Sequence, residues 1–137
     1  MTEKAGQSLV NRMDGPEDKC PASIERPAWN DIEKAIRRLD GNTCSLLVLG
    51  IGDPVPHMAI GGGDAGKYTV YVTPDNWTFH SLVNSHAQAG RSYLVAGGQL
   101  GDYANKHVVG LEDVLRAAHA YAETGGLDPG LLWEKRG

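Results

Sequence analysis

The sequence predicts an α+β fold in which a largely antiparallel β-sheet carries two helices packed on one face. Three observations lead to this fold class. Apolar stripes at helical spacing lie near residues 30 and 115, and several short apolar or alternating segments lie between them. The turns that join these segments are too short to contain crossover helices, so neighbouring strands are expected to run antiparallel.

The bulk properties indicate one cytoplasmic globular domain. A chain of 137 residues is long enough for a single core, and 41% apolar with 22% charged residues lies in the globular range. The formal charge of -4 disfavours direct nucleic-acid binding, which calls for the opposite sign, and permits a basic partner. The first ten residues lack the apolar run of a signal peptide, and no stretch reaches membrane-spanning length, so we expect no membrane association.

The N-terminal part of the chain has a different composition from the rest. Residues 1–26 are rich in charge, Ser, Pro and Gly and show no periodicity, so we expect a flexible tail before a domain at residues 27–137. The two cysteines are Cys20 in this tail and Cys44 at the start of an apolar run. For a cytoplasmic chain we expect both thiols to be reduced, without a structural disulfide.

The first helix is predicted to begin near Pro27, a residue that is tolerated at a helix start. Its apolar positions, three or four residues apart, are Trp29, Ile32, Ile36 and Leu39. Asn30 and Glu33 have the spacing of a capping box, and Asp40-Gly41 supplies a left-handed stop.

The strands are predicted from apolar runs and alternation. Residues 45–51 are nearly all apolar, as expected of a strand buried on both faces in the middle of a sheet. Residues 68–73 alternate, with Tyr68, Val70 and Val72 on one side. Further strands are predicted at residues 57–60, 77–83 and 93–96, of which 77–83 would also fit a short helix.

The second helix is predicted at residues 111–124. Its apolar stripe consists of Leu111, Val114, Leu115, Ala118, Tyr121 and Ala122. Glu112 and Asp113 in the first turn complement the helix dipole, and Gly125-Gly126 ends the helix. Residues 131–133 are expected to fold back as a terminal apolar anchor.

No motif for catalysis or cofactor binding is complete. Residues 61–67 match a phosphate-binding loop up to Lys67, but Tyr68 stands where a hydroxyl would bind magnesium, and a strand follows instead of a helix. The histidines His57, His80, His86, His107 and His119 show no metal-binding spacing. His80, His86, Asp75 and Ser85 hold the groups of a triad, yet nothing resembles a nucleophile elbow. We therefore expect no enzymatic activity, metal or cofactor.

Acidic and aromatic residues are left as candidate binding groups in the predicted loops. The set consists of Asp53, Asp64, Asp75 and Asp102 beside Tyr68, Trp77 and Tyr103. Such residues can present a negative field and aromatic anchors to a cationic protein partner. The alternative is that Tyr68 and Trp77 belong to the core and that the aspartates only form turns.

Several segments of the chain resemble immunity protein family one, a family that accompanies bacterial polymorphic toxins. The resemblance covers roughly residues 27–133. The segments that carry it are residues 29–41, 60–63, 68–72, 95–99 with Tyr103, and 114–118 with Leu132 and Trp133. No single one of these motifs is diagnostic, because the resemblance depends on their order along the chain.

The resemblance implies a cytoplasmic α+β antitoxin that binds a cognate toxin, commonly a deaminase-like or nuclease toxin acting on nucleic acid. The implied mechanism is occlusion of the toxin's active site. From loop position and chemistry, the expected toxin-binding residues are Asp53, Asp64, Tyr68, Trp77, Asp102 and Tyr103. The alternatives are a small hydrolase or transferase and a small-molecule-binding domain, both of which predict a deep polar pocket, whereas an interaction protein predicts a shallow exposed patch.

Overall fold

Antiparallel strand pairing organises the computed structural model, which describes residues 8–15, 22–52 and 54–136. The strands are β1 (Arg12–Gly15), β2 (Ala22–Glu25), β3 (Leu46–Gly50), β4 (His57–Gly62), β5 (Tyr68–Thr73), β6 (Phe79–Val83), β7 (Arg91–Ala96), β8 (Gln99–Ala104) and β9 (Leu132–Arg136). The α-helices are α1 (Trp29–Arg37) and α2 (Leu111–Thr124). Seven strands form one sheet in the order β2-β1-β3-β4-β5-β6-β9, and β7 pairs with β8 in a separate hairpin. This arrangement confirms the predicted fold class.

The hydrophobic core lies between the two helices and one face of the sheet. Because side chains alternate along a strand, the register places Ile60 of β4 beside Leu47 of β3 and Val70 of β5 on the same face. Helix α1 contributes Ile32 and Ile36, which are fully buried in the same cluster. From α2 the core receives Val114, Ala117, Ala118, Tyr121 and Ala122. Both helices are amphipathic, so this burial holds them on one side of the sheet.

The β7–β8 hairpin forms a third layer on the opposite face of the sheet. Its two-residue turn is Gly97-Gly98, with φ angles of 63° and 79°, as a turn with left-handed residues requires. The Gly98 amide donates to Ser45 Oγ at 2.9 Å, which ties the turn to the start of β3. At the other end of the hairpin, the Asn84 amide donates to the Lys106 carbonyl at 2.7 Å. Strand β8 and this third layer are absent from the sequence prediction.

The prediction of a flexible tail up to residue 26 is wrong for the described residues of that segment. Strands β1 and β2 pair with each other, and β1 also pairs with β3. Val10 and Met13 are buried in the core, and the Leu9 amide donates to the Ala122 carbonyl at 2.7 Å. Each strand has four residues, which is too short for alternation to stand out in a polar segment.

Cys44 also differs from its prediction, because it is disulfide-bonded instead of a reduced thiol. The only other cysteine in the sequence, Cys20, lies outside the described residues. The expected compartment predicts reduced thiols, but it does not determine where the fold places Cys44.

The helix boundaries are confirmed in part. Helix α2 matches residues 111–124, and Gly125 ends it with a φ of 74°. Helix α1 begins differently from the prediction, because the Ala28 amide donates to the Asp31 carboxylate at 3.0 Å and Asn30 is not the capping residue. Glu33 forms an ion pair with Arg37 at 3.0 Å, one turn along the helix, instead of closing a capping box.

The remaining segments clarify two ambiguous predictions. Residues 79–83 form strand β6, so the alternative of a short helix is wrong. The C-terminal segment pairs with β6 as β9; Trp133 packs against the core, whereas Leu132 is exposed. The predicted apolar anchor is therefore mainly Trp133 together with Leu131. No helix in the described part of the chain is long and apolar enough to cross a membrane.

The buried N-terminal segment can be tested by a substitution at its core position. We expect Met13→Ala to lower the free energy of unfolding by about 2–5 kcal/mol, because a fully buried side chain leaves a cavity. Leu9→Ala, an exposed position on the same segment, is the control and should change stability by no more than about 0.5 kcal/mol. Urea denaturation measures both values, and equal effects would show that residues 8–15 do not pack as described.

A second stability test concerns the core of α2. In the described structure the buried Tyr121 hydroxyl has no hydrogen-bond partner, and burial raises the pKa of Tyr121 to about 12. Leaving a buried polar group unpaired costs roughly 1–3 kcal/mol. We expect Tyr121→Phe to raise the free energy of unfolding by about 1 kcal/mol. Tyr93→Phe, at an exposed position, is the matched control. A less stable Tyr121→Phe variant would mean that the hydroxyl is hydrogen-bonded.

Candidate functional site

The six residues predicted to contact a toxin do not form one cluster. Asp53 lies outside the described residues. Asp64 is exposed in the turn between β4 and β5, and its carboxylate has no ion-pair partner among the described residues. Tyr68 is only 5% exposed and packs in the core, which is the alternative that the sequence left open. Burial raises the pKa of the Tyr68 hydroxyl, as expected of a core tyrosine.

Trp77 lies at the other end of β5, roughly 17 Å or more from the turn of Asp64 by strand length. Its side chain is 80% exposed, so it is not a core residue. The neighbouring Asp75 carboxylate accepts hydrogen bonds from the amides of Trp77 at 2.9 Å and Thr78 at 2.7 Å. These hydrogen bonds lower the pKa of Asp75 and identify it as a turn-forming residue that presents the indole to solvent.

Asp102 and Tyr103 are the two predicted residues that the structure places together. Both lie on β8 and line a groove of about 510 Å³ between the hairpin and the sheet face opposite the helices. The floor of the groove consists of Leu46, Ala59, Gly61, Thr69, Tyr71 and Ser81. The hairpin side includes Arg91, Ala96, Ala104 and His107, and Arg136 of β9 also lines the groove. This groove is the candidate functional site.

Most charged groups in and beside the groove are held in ion pairs. Arg91 Nε lies 2.9 Å from Asp102 Oδ1 on the adjacent strand. Glu134 of β9 accepts from Lys106 Nζ at 3.0 Å and lies 2.6 Å from His107 Nε2. Hydrogen bonds from Lys106 and His107 lower the pKa of the Glu134 carboxyl. Arg136 has no ion-pair partner among the described residues, so it adds an uncompensated positive charge.

Aromatic rings extend across the same face of the sheet beside the groove. Tyr71 contacts His57 and Phe79 edge to face, with ring centroids 5.8 and 5.4 Å apart. Such T-shaped contacts are favourable because the positive edge of one ring meets the negative face of the next. We call His57, Tyr71 and Phe79 the aromatic row. Burial raises the pKa of the Tyr71 hydroxyl, and Phe79 is paired in register with Arg136.

The hairpin adds an exposed apolar surface next to the groove. Tyr93 is 70% exposed and Leu100 is 68% exposed. The register pairs Tyr93 with Asp102 and Val95 with Leu100, so these side chains share one face of the hairpin with the ion pair of Arg91. Large apolar side chains surrounded by polar groups are typical of protein-interaction surfaces. Tyr93 and Leu100 are not among the residues predicted from the sequence, although Gly97-Gly98 between apolar segments is a hairpin signal.

The geometry differs from that of a catalytic centre. The charged groups of the groove pair with each other instead of converging on one point where a reacting atom could sit. The Asp75 carboxylate caps its own turn, and in the described structure no hydrogen bond joins it to His80 or His86. Within the described residues, no group of three His, Cys, Asp or Glu side chains could hold a metal ion. The groove is deeper than the shallow patch expected of an interaction protein, but much of its floor is apolar or small.

Comparison with known protein families gives a match over most of the chain. The family model described as Immunity protein Imm1 matches residues 21–135, which includes β2 to β8, both helices and β9 as far as Lys135. The matched region contains the aromatic row, the whole hairpin and every residue that lines the groove except Arg136. A comparison with curated proteins finds no significant match.

The ion pairs beside the groove predict a dependence of stability on pH. The folded-state pKa of Glu134 is lowered, so its stabilising contribution is complete above its ordinary pKa of 4.5 and is lost as the pH falls through the lowered value. We expect Glu134→Gln to reduce Tm most at neutral pH and to differ least from the wild type in acid. Glu25→Gln, on the edge strand β2, is the control. A Tm difference that stays constant between neutral and acidic pH would contradict this contribution.

Proposed function

The chain belongs to the Imm1 family of immunity proteins, and we propose from this premise that it neutralises one cognate secreted toxin by covering the toxin's active site. The single observation that carries the proposal is the family match over residues 21–135. The exposed hairpin surface supports it, because a protein that acts by binding needs apolar side chains accessible to its partner.

We further propose that the toxin is a deaminase-like or nuclease domain that acts on nucleic acid. A nucleic-acid enzyme carries Lys and Arg in its substrate groove, since it must bind phosphates. The formal charge of -4 on this chain is complementary to such a surface and would accelerate association. In this proposal the immunity protein acts in the cytoplasm, where it meets the toxin before the toxin reaches nucleic acid.

The proposed contacts are Asp64, Trp77, Asp102 and Tyr103, with Asp53 as a further candidate outside the described residues. Trp77 and Tyr103 are of the residue types that contribute most to protein interfaces. Asp64 can pair with a toxin cation because no ion pair occupies it in the described structure. Asp102 is already paired with Arg91, so a toxin cation must compete with that guanidinium. Tyr68 is not among the proposed contacts, since its ring is buried.

The chain is proposed to act without catalysis. In support, Arg91 is paired with Asp102, and His107 lies against Glu134 beside the groove, so these contacts do not activate a nucleophile. A small-molecule-binding domain is the second candidate, favoured by a groove volume within the range of ligand pockets. A toxin and a small molecule differ in the area they cover, because only a protein can also contact the exposed Tyr93 and Leu100.

Co-expression with the toxin domain encoded beside this chain tests the proposal. We expect the wild-type chain to restore growth and to co-purify with the toxin, while a host expressing the toxin alone does not grow. Stoichiometric protection by a mixture of the purified proteins would exclude an effect on toxin expression. Absence of both rescue and complex formation would refute the immunity function.

Substitutions then locate the contacts through their effect on the Kd for the toxin domain. We expect Trp77→Ala and Tyr103→Ala each to raise the Kd for the toxin about tenfold or more, as interface anchors do. Glu123→Ala, an exposed position on α2, is the control and should leave Kd within about twofold. Unchanged binding by both aromatic variants would exclude these side chains as anchors without affecting the family assignment.

A further inference from the structure

The groove under the hairpin is positive although the whole chain is negative. Its charged lining consists of Arg91, Arg136 and Asp102, together with His107. Arg91 is neutralised by Asp102 at 2.9 Å, and the Glu134 carboxylate beside His107 already pairs with Lys106 at 3.0 Å. Arg136 is therefore the uncompensated charge of the groove among the described residues. Its guanidinium can form two parallel hydrogen bonds with a carboxylate.

The surroundings of Arg136 are suited to a protein segment. Arg136 and Phe79 are directly paired between β9 and β6, so both side chains lie on the sheet face that carries the aromatic row. Ala59 has a small side chain and Gly61 has none, so the floor of the groove lies close to the sheet backbone beside Tyr71. A carboxylate bound there would have one charged partner and an apolar floor, which strengthens the ion pair by excluding water.

We propose that this groove receives an acidic side chain, Asp or Glu, from a surface segment of the toxin, and that Arg136 pairs with its carboxylate above the aromatic row. The inference rests on the proposed function and adds to it the position of the partner and the chemistry of one contact. At this contact the charges are opposite to those of the rest of the proposed interface, where acidic residues of this chain face a basic toxin.

The occupant is a protein segment because exposed apolar side chains also lie on the hairpin outside the groove. Tyr93 and Leu100 lie on the hairpin face that also carries Arg91 and Asp102, and both are largely exposed. A small anion would occupy Arg136 and leave these side chains in water. A toxin that places one segment in the groove can cover these side chains with an adjoining part of its surface, which is the arrangement of an apolar centre with a polar rim.

Charge reversal on strand β9 tests the proposal with a matched control. Arg136 and Lys135 are adjacent and exposed, but Lys135 pairs in register with His80 and lies on the opposite face of the sheet. Binding to a catalytically inactive toxin domain is measured by calorimetry. We expect Arg136→Glu to raise Kd about tenfold or more and Arg136→Lys to raise it less, because an ammonium keeps the charge. We expect Lys135→Glu to raise Kd no more than about threefold.

A second measurement does not depend on substitutions. Hydrogen exchange of the wild-type complex should show protection of β7, β8 and β9, whereas α1 and α2 should exchange as in the free chain. Equal effects of Arg136→Glu and Lys135→Glu on Kd, or protection confined to the helices, would overturn the inference while leaving the immunity function intact. A wild-type chain that forms no complex would instead overturn the proposed function, and the inference with it.

Discussion

The close approach of the hairpin to β4 is the contact on which the candidate site depends. Gly61 has no side chain, and a Cβ placed on it would lie 2.7 Å from the Cβ of Ala96, well inside van der Waals contact. Any larger residue at this position would push the hairpin turn away from the sheet. Ser45 completes the attachment with its hydrogen bond to Gly98. The groove exists because the hairpin is held at this end, while its strands extend toward β6 and β9.

Because side chains alternate along β4 and β5, one face of the sheet packs against the helices and the other face lines the groove. Met58, Ile60 and Val70 point to the helices and are almost fully buried, so stability depends on that face. Ala59, Tyr71 and Thr69 point the other way and form the floor of the groove. Substitution of floor residues can therefore alter the shape of the groove at limited cost to the core.

Long periodic elements could be predicted from the sequence, and short ones could not. Helix α2 and strand β5 present enough repeats for period and boundaries to be clear, and both match the structure. Strands β1 and β2 have four residues each, too few for a local pattern to distinguish them from a polar tail. Strand β8 was missed because Gly101 interrupts its alternation; the ring of Tyr103 lies against this glycine. The missed strands are held by pairing and tertiary contacts, which a local pattern does not contain.

The candidate site was harder to predict than the fold, for the same reason. The chemistry of Asp102 and Tyr103 marks them as binding candidates, but Arg91, Arg136 and the aromatic row join them only through sheet pairing between segments distant in sequence.

The charged end of β9 also affects how copies of the chain interact with one another. Glu134, Lys135 and Arg136 occupy an edge strand, where consecutive charges disfavour the addition of a strand from another molecule. At high expression, such an edge lowers the tendency of copies of the chain to aggregate through strand pairing.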